Sequence, residues 1–151
     1  MNQKLNFILC IILCGAIKQG FSQEVPADKV LGIWLTSSGK AKVQIYKEDN
    51  RFFGKLVSGE DLYEADKKTL KRDTKNANTA MRANTVKNLV LLKDFQFKDG
   101  IWTGGTIYDP ENGSTYSCKM QIKGTKLEIR GYIGISLFGR TEIWQRSKQD
   151  Q

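Results

Sequence analysis

The chain has 151 residues, a net charge of +8, three cysteines and no histidine. This length suits a single domain with one hydrophobic core. Without histidine there can be no Ser-His-Asp triad, Cys-His pair or histidine zinc site, and the commonest general base at neutral pH is missing. The basic residues form no continuous run and no nucleic-acid-binding motif, so nucleic acid is not an expected partner.

The first 22 residues are typical of a secretory signal peptide. Lys4 supplies a short positive segment, residues 5–17 are mostly apolar, and Gly20 and Ser22 place small residues at the −3 and −1 positions before Gln23. The apolar run is shorter than the roughly 20 residues of a transmembrane helix. We therefore expect cleavage after Ser22, a periplasmic or secreted location, and a mature chain without a transmembrane segment.

From residue 31 onward, short segments with a period of two alternate with turn signals, which predicts eight strands. Tight turns such as Asp99-Gly100 and Lys123-Gly124 make successive strands antiparallel neighbours. Closing this sheet would remove both of its edges. We predict an all-β fold over residues 23–146, an eight-stranded antiparallel up-and-down barrel with a polar tail at 147–151; a two-sheet sandwich is the alternative. The predicted strands are residues 33–35, 41–46, 52–57, 89–97, 101–108, 115–122, 127–133 and 138–144.

One long segment, residues 59–86, is polar and highly charged and carries no strand signal. It is predicted to be an insertion after the third strand, with a short helix over residues 66–75. Insertions of this length are more often functional or locally ordered than empty. The segment is expected either to cover the barrel mouth as a lid or to lie on the surface as a solvated excursion.

Two resemblances follow from the motifs. Gly32-x-Trp34 opens the first predicted strand and Arg146 follows the last one, which resembles the lipocalin, or calycin, pattern. That resemblance implies that Trp34 packs against Arg146 where the barrel closes. Over about residues 30–146 the chain is also similar to an exported bacterial family known as domain of unknown function 2147, which implies a lipocalin-like barrel and an envelope location but no activity. The motifs that carry this second resemblance are residues 32–34, 39–43, 73–76, 102–110 and 131–141.

The polar clusters give weak support for catalysis or metal binding. Glycoside hydrolysis needs two carboxylates held across a cleft at about 5–10 Å, and nothing fixes the spacing of the acidic residues in 60–66 or of Asp109 and Glu111. Asp73, Asn76 and Asn78 offer oxygen ligands, but their spacing is not that of a calcium loop. Cys118 alternates with apolar residues and is expected to be a small buried side chain. We expect no enzyme activity, no metal and no cofactor.

The last strand carries the most informative candidate for ligand binding. Phe138, Arg140, Glu142 and Trp144 share one face, and if that face points inward Arg140 is a buried cation that needs a partner. Glu142 or the acid group of a bound ligand would serve; alternatively, Arg140 lies at a barrel end and contacts backbone carbonyls. The candidate ligand-binding residues are Arg140, Trp102, Tyr108, Tyr116 and Trp144, and the candidate closure residues are Trp34 and Arg146.

These observations leave two leading functions. The first is a monomeric binding barrel for a small apolar or amphipathic molecule, which could be anionic. The second is a packed interaction or structural module whose basic surface contacts the anionic envelope, and an enzyme is the third choice. Small eight-stranded barrels either fill their interior or enclose one ligand, so the space inside the barrel discriminates between the first two.

Overall fold

The computed structural model describes residues 26–147, so the predicted signal peptide and residues 148–151 lie outside the described residues. Eight antiparallel strands follow one another around a closed barrel. None of the helices in the described range is long and apolar enough to cross a membrane. The strands are β1 (Gly32–Leu35), β2 (Lys42–Glu48), β3 (Arg51–Ser58), β4 (Val90–Lys98), β5 (Ile101–Asp109), β6 (Ser114–Lys123), β7 (Lys126–Tyr132) and β8 (Arg140–Arg146).

The barrel closes between its first and last strands. β1 pairs with β2 on one side and with β8 on the other, where Trp34 lies opposite Arg146 and Leu35 opposite Gln145. The predicted up-and-down barrel is confirmed, and the two-sheet sandwich is wrong. The last strand begins two residues later than predicted, because Ser136–Phe138 forms a 3₁₀ helix before it.

The two ends of the barrel differ, and we name them by what closes them. The helix end carries the 3₁₀ helix Ala27–Val30 and the short turns of the β2–β3, β4–β5 and β6–β7 hairpins. The mouth is formed by the longer connections, residues 36–41, 59–89, 110–113 and 133–139. Large buried side chains fill the interior toward the helix end, where the Phe52 and Trp102 rings meet edge to face at 6.2 Å. The largest of these are Trp34, Phe52, Phe95, Trp102 and Trp144.

Residues 59–89 connect β3 to β4 and pack against the barrel. Leu62 and Val86 of this segment are buried in the hydrophobic core. The helix expected over residues 66–75 is wrong. Lys67 has a φ of +56°, outside the helical region, and Tyr63 pairs with Leu70 through an isolated antiparallel bridge. The segment is ordered instead by short 3₁₀ helices, Glu60–Leu62 and Thr79–Met81, and by isolated bridges.

Candidate functional site

The helix end is closed by a tryptophan and an arginine. The Trp34 indole N–H donates to the carbonyl of Val30 at 2.8 Å, and the Arg146 guanidinium lies 4.2 Å from the centre of the Trp34 ring. Arg146 also donates to the carbonyls of Leu31, at 2.9 Å, and Lys29, at 2.5 Å. The arginine therefore joins the end of β8 to the segment that enters β1 and covers the tryptophan, as the lipocalin resemblance implies.

The five candidate ligand-binding residues do not converge on one site. Trp102 is fully buried near the helix end and donates from its indole N–H to the carbonyl of Ala27 at 3.2 Å. Trp144 is also buried in the core. Both are packing residues of the interior, whereas Arg140 is exposed at the rim, so the structure does not bring these three residues together as the predicted grouping requires.

Tyr108 points away from the barrel interior because β5 contains a bulge. Trp102 lies opposite Met120 and Gly105 lies opposite Cys118, so β5 uses one more residue than β6 over this stretch. Gly104 sits in this stretch with a φ of +74°. An extra residue reverses the alternation of side chains along a strand. Ile107 is thereby turned inward and Tyr108 outward, contrary to the role expected for Tyr108.

The outward Tyr108 connects the barrel wall to the insertion. Its hydroxyl donates to Asp73 at 2.6 Å, and the Asn76 side-chain amide donates to the other oxygen of the same carboxylate at 2.6 Å. Asp73 is only 1% exposed. Burial, together with the hydrogen bond and charge of Asp73, raises the pKa of Tyr108 to about 12. The polar motif at 73–76 thus fastens the insertion to β5, a role that the sequence did not reveal.

The wall formed by β5–β8 changes character toward the mouth. Gly131 lies opposite Cys118 on one side and Arg140 on the other. A Cβ placed on Gly131 would lie 3.4 Å from a methyl of Ile107 and 3.8 Å from the Cβ of Tyr116. Ile107, Tyr116 and Gly131 are all half-buried. At this level the inner wall includes a glycine and is partly exposed to solvent, whereas the large side chains toward the helix end are fully buried.

The charged residues of β8 lie at the same mouth. Glu142 is half-buried and accepts hydrogen bonds from the Trp144 indole at 3.2 Å and from the Ser37 hydroxyl at 3.1 Å. Arg140 is exposed, and its side chain forms no hydrogen bond or ion pair with the other residues of 26–147. Of the two placements expected for Arg140, the buried one paired with Glu142 is wrong, and the one at a barrel end agrees with the structure, except that the expected contacts to backbone carbonyls are not formed within residues 26–147. Arg140 is the first residue of its strand, so it stands at the rim, where water solvates the guanidinium.

Cys118 is fully buried below the mouth. Burial, with a contribution from the negative charge of Glu142, raises the pKa of the thiol to about 12. A thiol that stays protonated at neutral pH is a poor nucleophile. Among residues 26–147, no group of three or more potential metal-ligating side chains is assembled.

The sequence singled out Tyr116 and Arg140, which the structure places at the mouth, but not Ile107 or Gly131 beside them. Gly131 and Ile107 carry no chemistry that a motif would flag, and Glu142 was considered only as a partner of Arg140. Small residues at inward positions are not by themselves such a signal, since the Phe95 ring occupies the space beside Gly105.

An eight-stranded closed barrel with a 3₁₀ helix at one end and an arginine over a first-strand tryptophan is a lipocalin-like fold. Residues 32–146 match the family described as "Uncharacterized protein conserved in bacteria (DUF2147)", and the chain belongs to that family. Its structure is similar to that of protein HP1028 from the human pathogen Helicobacter pylori, described as belonging to the lipocalin family, with a TM-score of 0.69. The two share 24% identity over 81% of this chain and 85% of that chain, which shows a common fold. No curated protein matches the chain.

Proposed function

We propose that the protein is exported and acts as a binding barrel that holds a small amphipathic molecule at its mouth. The observation that carries the proposal is the change along the inner wall. Bulky buried rings fill the helix end, whereas half-buried Ile107, Tyr116 and Gly131 line the mouth beside an exposed arginine. Sites for small molecules are mostly apolar with a few placed polar groups. This arrangement supports a shallow site on the β5–β8 side.

The proposed ligand has an apolar part and an acid group. Its apolar part would lie over Gly131, between Ile107 and Tyr116. Its acid group would meet Arg140 at the rim, where a guanidinium can make a bidentate contact with a carboxylate or phosphate. The carboxylate of Glu142 lies on the same wall and disfavours a second negative charge deeper in the barrel. The charge pattern therefore supports binding with the acid group outward.

A second candidate function rests on the packed interior. Tryptophan and phenylalanine side chains occupy the barrel toward the helix end, so a ligand cannot enter that part without displacing them. In this version the barrel is a rigid interaction module, and its basic outer surface contacts the envelope. The two candidates differ in whether the mouth takes up a small molecule.

Titration calorimetry with dodecanoate tests the proposed site. Gly131→Leu should abolish binding, because its side chain would occupy the space between Ile107 and Tyr116. Gly131→Ala is the matched control, since its Cβ makes ordinary contacts and should leave affinity nearly unchanged. Mass spectrometry of small molecules that co-purify with the protein identifies the natural ligand class. If the unmodified protein shows no binding at micromolar dodecanoate, the binding barrel is contradicted and the packed module is favoured.

The Arg140→Met substitution tests how much the acid group of the ligand contributes to binding, apart from its apolar part. The substitution should lower dodecanoate affinity about tenfold, because a charge-assisted hydrogen bond contributes about 1.5–3 kcal/mol. Affinity for uncharged dodecanol should not change. Lys98→Met removes an exposed cation at the helix end and serves as the control. An equal loss for dodecanoate and dodecanol would contradict the role of Arg140.

Export is tested by N-terminal sequencing of the protein from its host. The sequence analysis expects the mature chain to begin at Gln23. Recovery of a chain that still begins with Met1 would contradict the proposed cleavage and the periplasmic or secreted location.

A further inference from the structure

The loop between β7 and β8, residues 133–139, carries a concentration of exposed apolar side chains. Four large side chains there are 60–80% exposed, whereas the two other exposed large apolar side chains of the described chain are each 41% exposed. Exposed apolar groups clustered in this way mark an interaction surface rather than ordinary scatter. We call the four residues the apolar tip: Ile133, Ile135, Leu137 and Phe138.

The apolar tip is held in a fixed shape from the outer wall of the barrel. Arg130 donates from Nε to the carbonyl of Ser136 at 2.6 Å and from its terminal nitrogens to the carbonyl of Leu137 at 3.0 Å and the Thr141 hydroxyl at 2.7 Å. Lys119 reaches the Ser136 hydroxyl at 3.3 Å. Two basic side chains thus organise a loop that exposes apolar groups, and a surface ordered before binding loses less entropy when a partner binds.

Glycines specify the same loop. Gly134 has a φ of +70°, which side chains larger than hydrogen rarely adopt. A Cβ on Gly139 would lie 2.5 Å from the carbonyl oxygen of Gly131, so the loop returns close against β7. These two glycines therefore permit the turn of the loop and its close return against β7.

The charge around the apolar tip is basic. Arg140 follows it directly and is exposed, and Lys119 and Arg130 lie beneath it, while the residues after Ser22 carry a net charge of +6 once Lys4 and Lys18 are left out. The carboxylate nearest along the chain, Glu142, is half-buried and bound to Ser37 and Trp144. Apolar side chains surrounded by cations complement a bilayer with anionic headgroups, since the apolar groups enter the acyl boundary and the cations meet the phosphates.

We infer that the apolar tip docks the barrel on an anionic lipid bilayer, with the mouth facing the membrane. Leu137 and Phe138 would enter the boundary between headgroups and acyl chains, and Arg140 would contact lipid phosphates. This inference needs no molecule bound in the mouth, so it stands apart from the binding function proposed above. The test must distinguish docking on a bilayer from binding to a protein partner or to a second copy of the chain.

A tryptophan placed in the tip reports docking directly. Leu137→Trp should shift its emission to the blue with phosphatidylcholine vesicles that contain about 30 mol % phosphatidylglycerol, and less with phosphatidylcholine alone. Thr125→Trp, at an exposed turn of the helix end, is the control and should not shift. The native tryptophans give a constant background because all are buried: Trp34, Trp102 and Trp144.

Vesicle flotation measures the contributions of the apolar and basic groups. The double substitution Leu137→Ser with Phe138→Ser should lower partitioning onto anionic vesicles at least about tenfold. Arg140→Gln should lower it about fivefold and leave neutral vesicles unaffected, with Lys98→Gln as the control. All variants begin at Gln23, the proposed mature start, so the apolar residues 5–17 cannot carry the protein onto vesicles and differences between variants report on the loop.

Two results would overturn the inference. The first is equal flotation of the wild type and the double serine variant. The second is a blue shift of the Leu137→Trp emission that occurs without lipid and grows with protein concentration, together with self-association in analytical ultracentrifugation. That result would show that a second copy of the chain, and not a bilayer, covers the apolar tip. The dodecanoate titration uses no vesicles, so failure of either hypothesis is recognised independently.

Discussion

Arg140 and Arg146 stand at the two ends of the same strand, and their surroundings are opposite. Arg146 covers the Trp34 ring and donates to two backbone carbonyls of the segment that enters β1. Arg140 is exposed at the rim and has no hydrogen-bond or ion-pair partner in residues 26–147 for its side chain. The same guanidinium group therefore closes the barrel at the helix end, whereas at the mouth it is exposed to solvent.

The difference extends to the side chains around each arginine. At the helix end, tryptophan and phenylalanine rings fill the space between the strands, and the indole N–H groups of Trp34 and Trp102 donate to backbone carbonyls of residues 27–30. At the mouth, the small residues Gly131 and Cys118 lie opposite each other, and an apolar tip faces solvent. The largest buried side chains are therefore concentrated toward one end of the barrel.

The largest effect is expected from removing the central ring of the helix end. Trp34→Ala should lower the free energy of unfolding by about 3–5 kcal/mol, because a fully buried aromatic side chain leaves a cavity. Urea denaturation followed by circular dichroism measures the change. Phe138→Ala is the matched control, since the Phe138 ring is 80% exposed and should contribute little. An unchanged unfolding free energy for Trp34→Ala would show that closure does not stabilise the barrel.

A smaller loss is expected when the arginine of the helix end is changed. Arg146→Met keeps much of the apolar stem but removes the two hydrogen bonds to carbonyls and the charge over the Trp34 ring. The unfolding free energy should fall by about 1–2 kcal/mol, since the guanidinium is partly solvated. Arg146→Lys should recover part of the loss through charge alone. Equal stability of the methionine variant and the wild type would contradict the closure role.

The hydrogen bond between Tyr108 and Asp73 should make the free energy of unfolding depend on pH in the alkaline range. Because the folded state raises the pKa of Tyr108 from 10 to about 12, it binds the phenolic proton more tightly than the unfolded chain does. The stabilisation is complete below pH 10 and is lost as pH rises toward 12. Tyr108→Phe should lose about 1 kcal/mol at pH 7 and decline less between pH 10 and 12, as measured by urea denaturation at each pH.

Cys118 also makes the free energy of unfolding fall as pH rises, since the folded state raises the pKa of its thiol to about 12. That contribution is shared by wild type and Tyr108→Phe, so the difference between their pH profiles isolates the tyrosine. Parallel profiles would show that the insertion is not fastened to β5 through this bond.

The order of the strands and the closure of the barrel were predictable from sequence because both depend on local signals. Tight hairpin turns determine which strands are neighbours, and the first and last strands then meet, which places Trp34 beside Arg146. The orientation of Tyr108 was not predictable, because the bulge near Gly104 reverses the alternation and depends on pairing with β6.

The candidate site failed for a related reason. Alternation along β8 gives the face on which Arg140 lies, but not its height along the barrel axis, and at the rim an inward position is exposed. The helix expected over residues 66–75 failed because the segment pairs with distant parts of its own loop through the bridges Tyr63–Leu70 and Arg72–Thr85, with Lys67 at a φ of +56°. Such pairings depend on the folded loop and leave no periodic signal in the sequence.

The smallest expected effect is the most discriminating, because it concerns the same substitution at the other end of β8. Arg140→Met should change the unfolding free energy by less than about 0.5 kcal/mol, as an exposed side chain without partners contributes little to folding. Under the same urea denaturation, Arg146→Met should lose several times more. If the two variants lost equal stability, Arg140 would be a structural residue of the mouth, and the interpretation of the rim as a surface kept free for a ligand or a membrane would fail. A stability that stays unchanged, together with weaker binding of dodecanoate or of anionic vesicles, would show that the mouth arginine serves binding while its counterpart serves the fold.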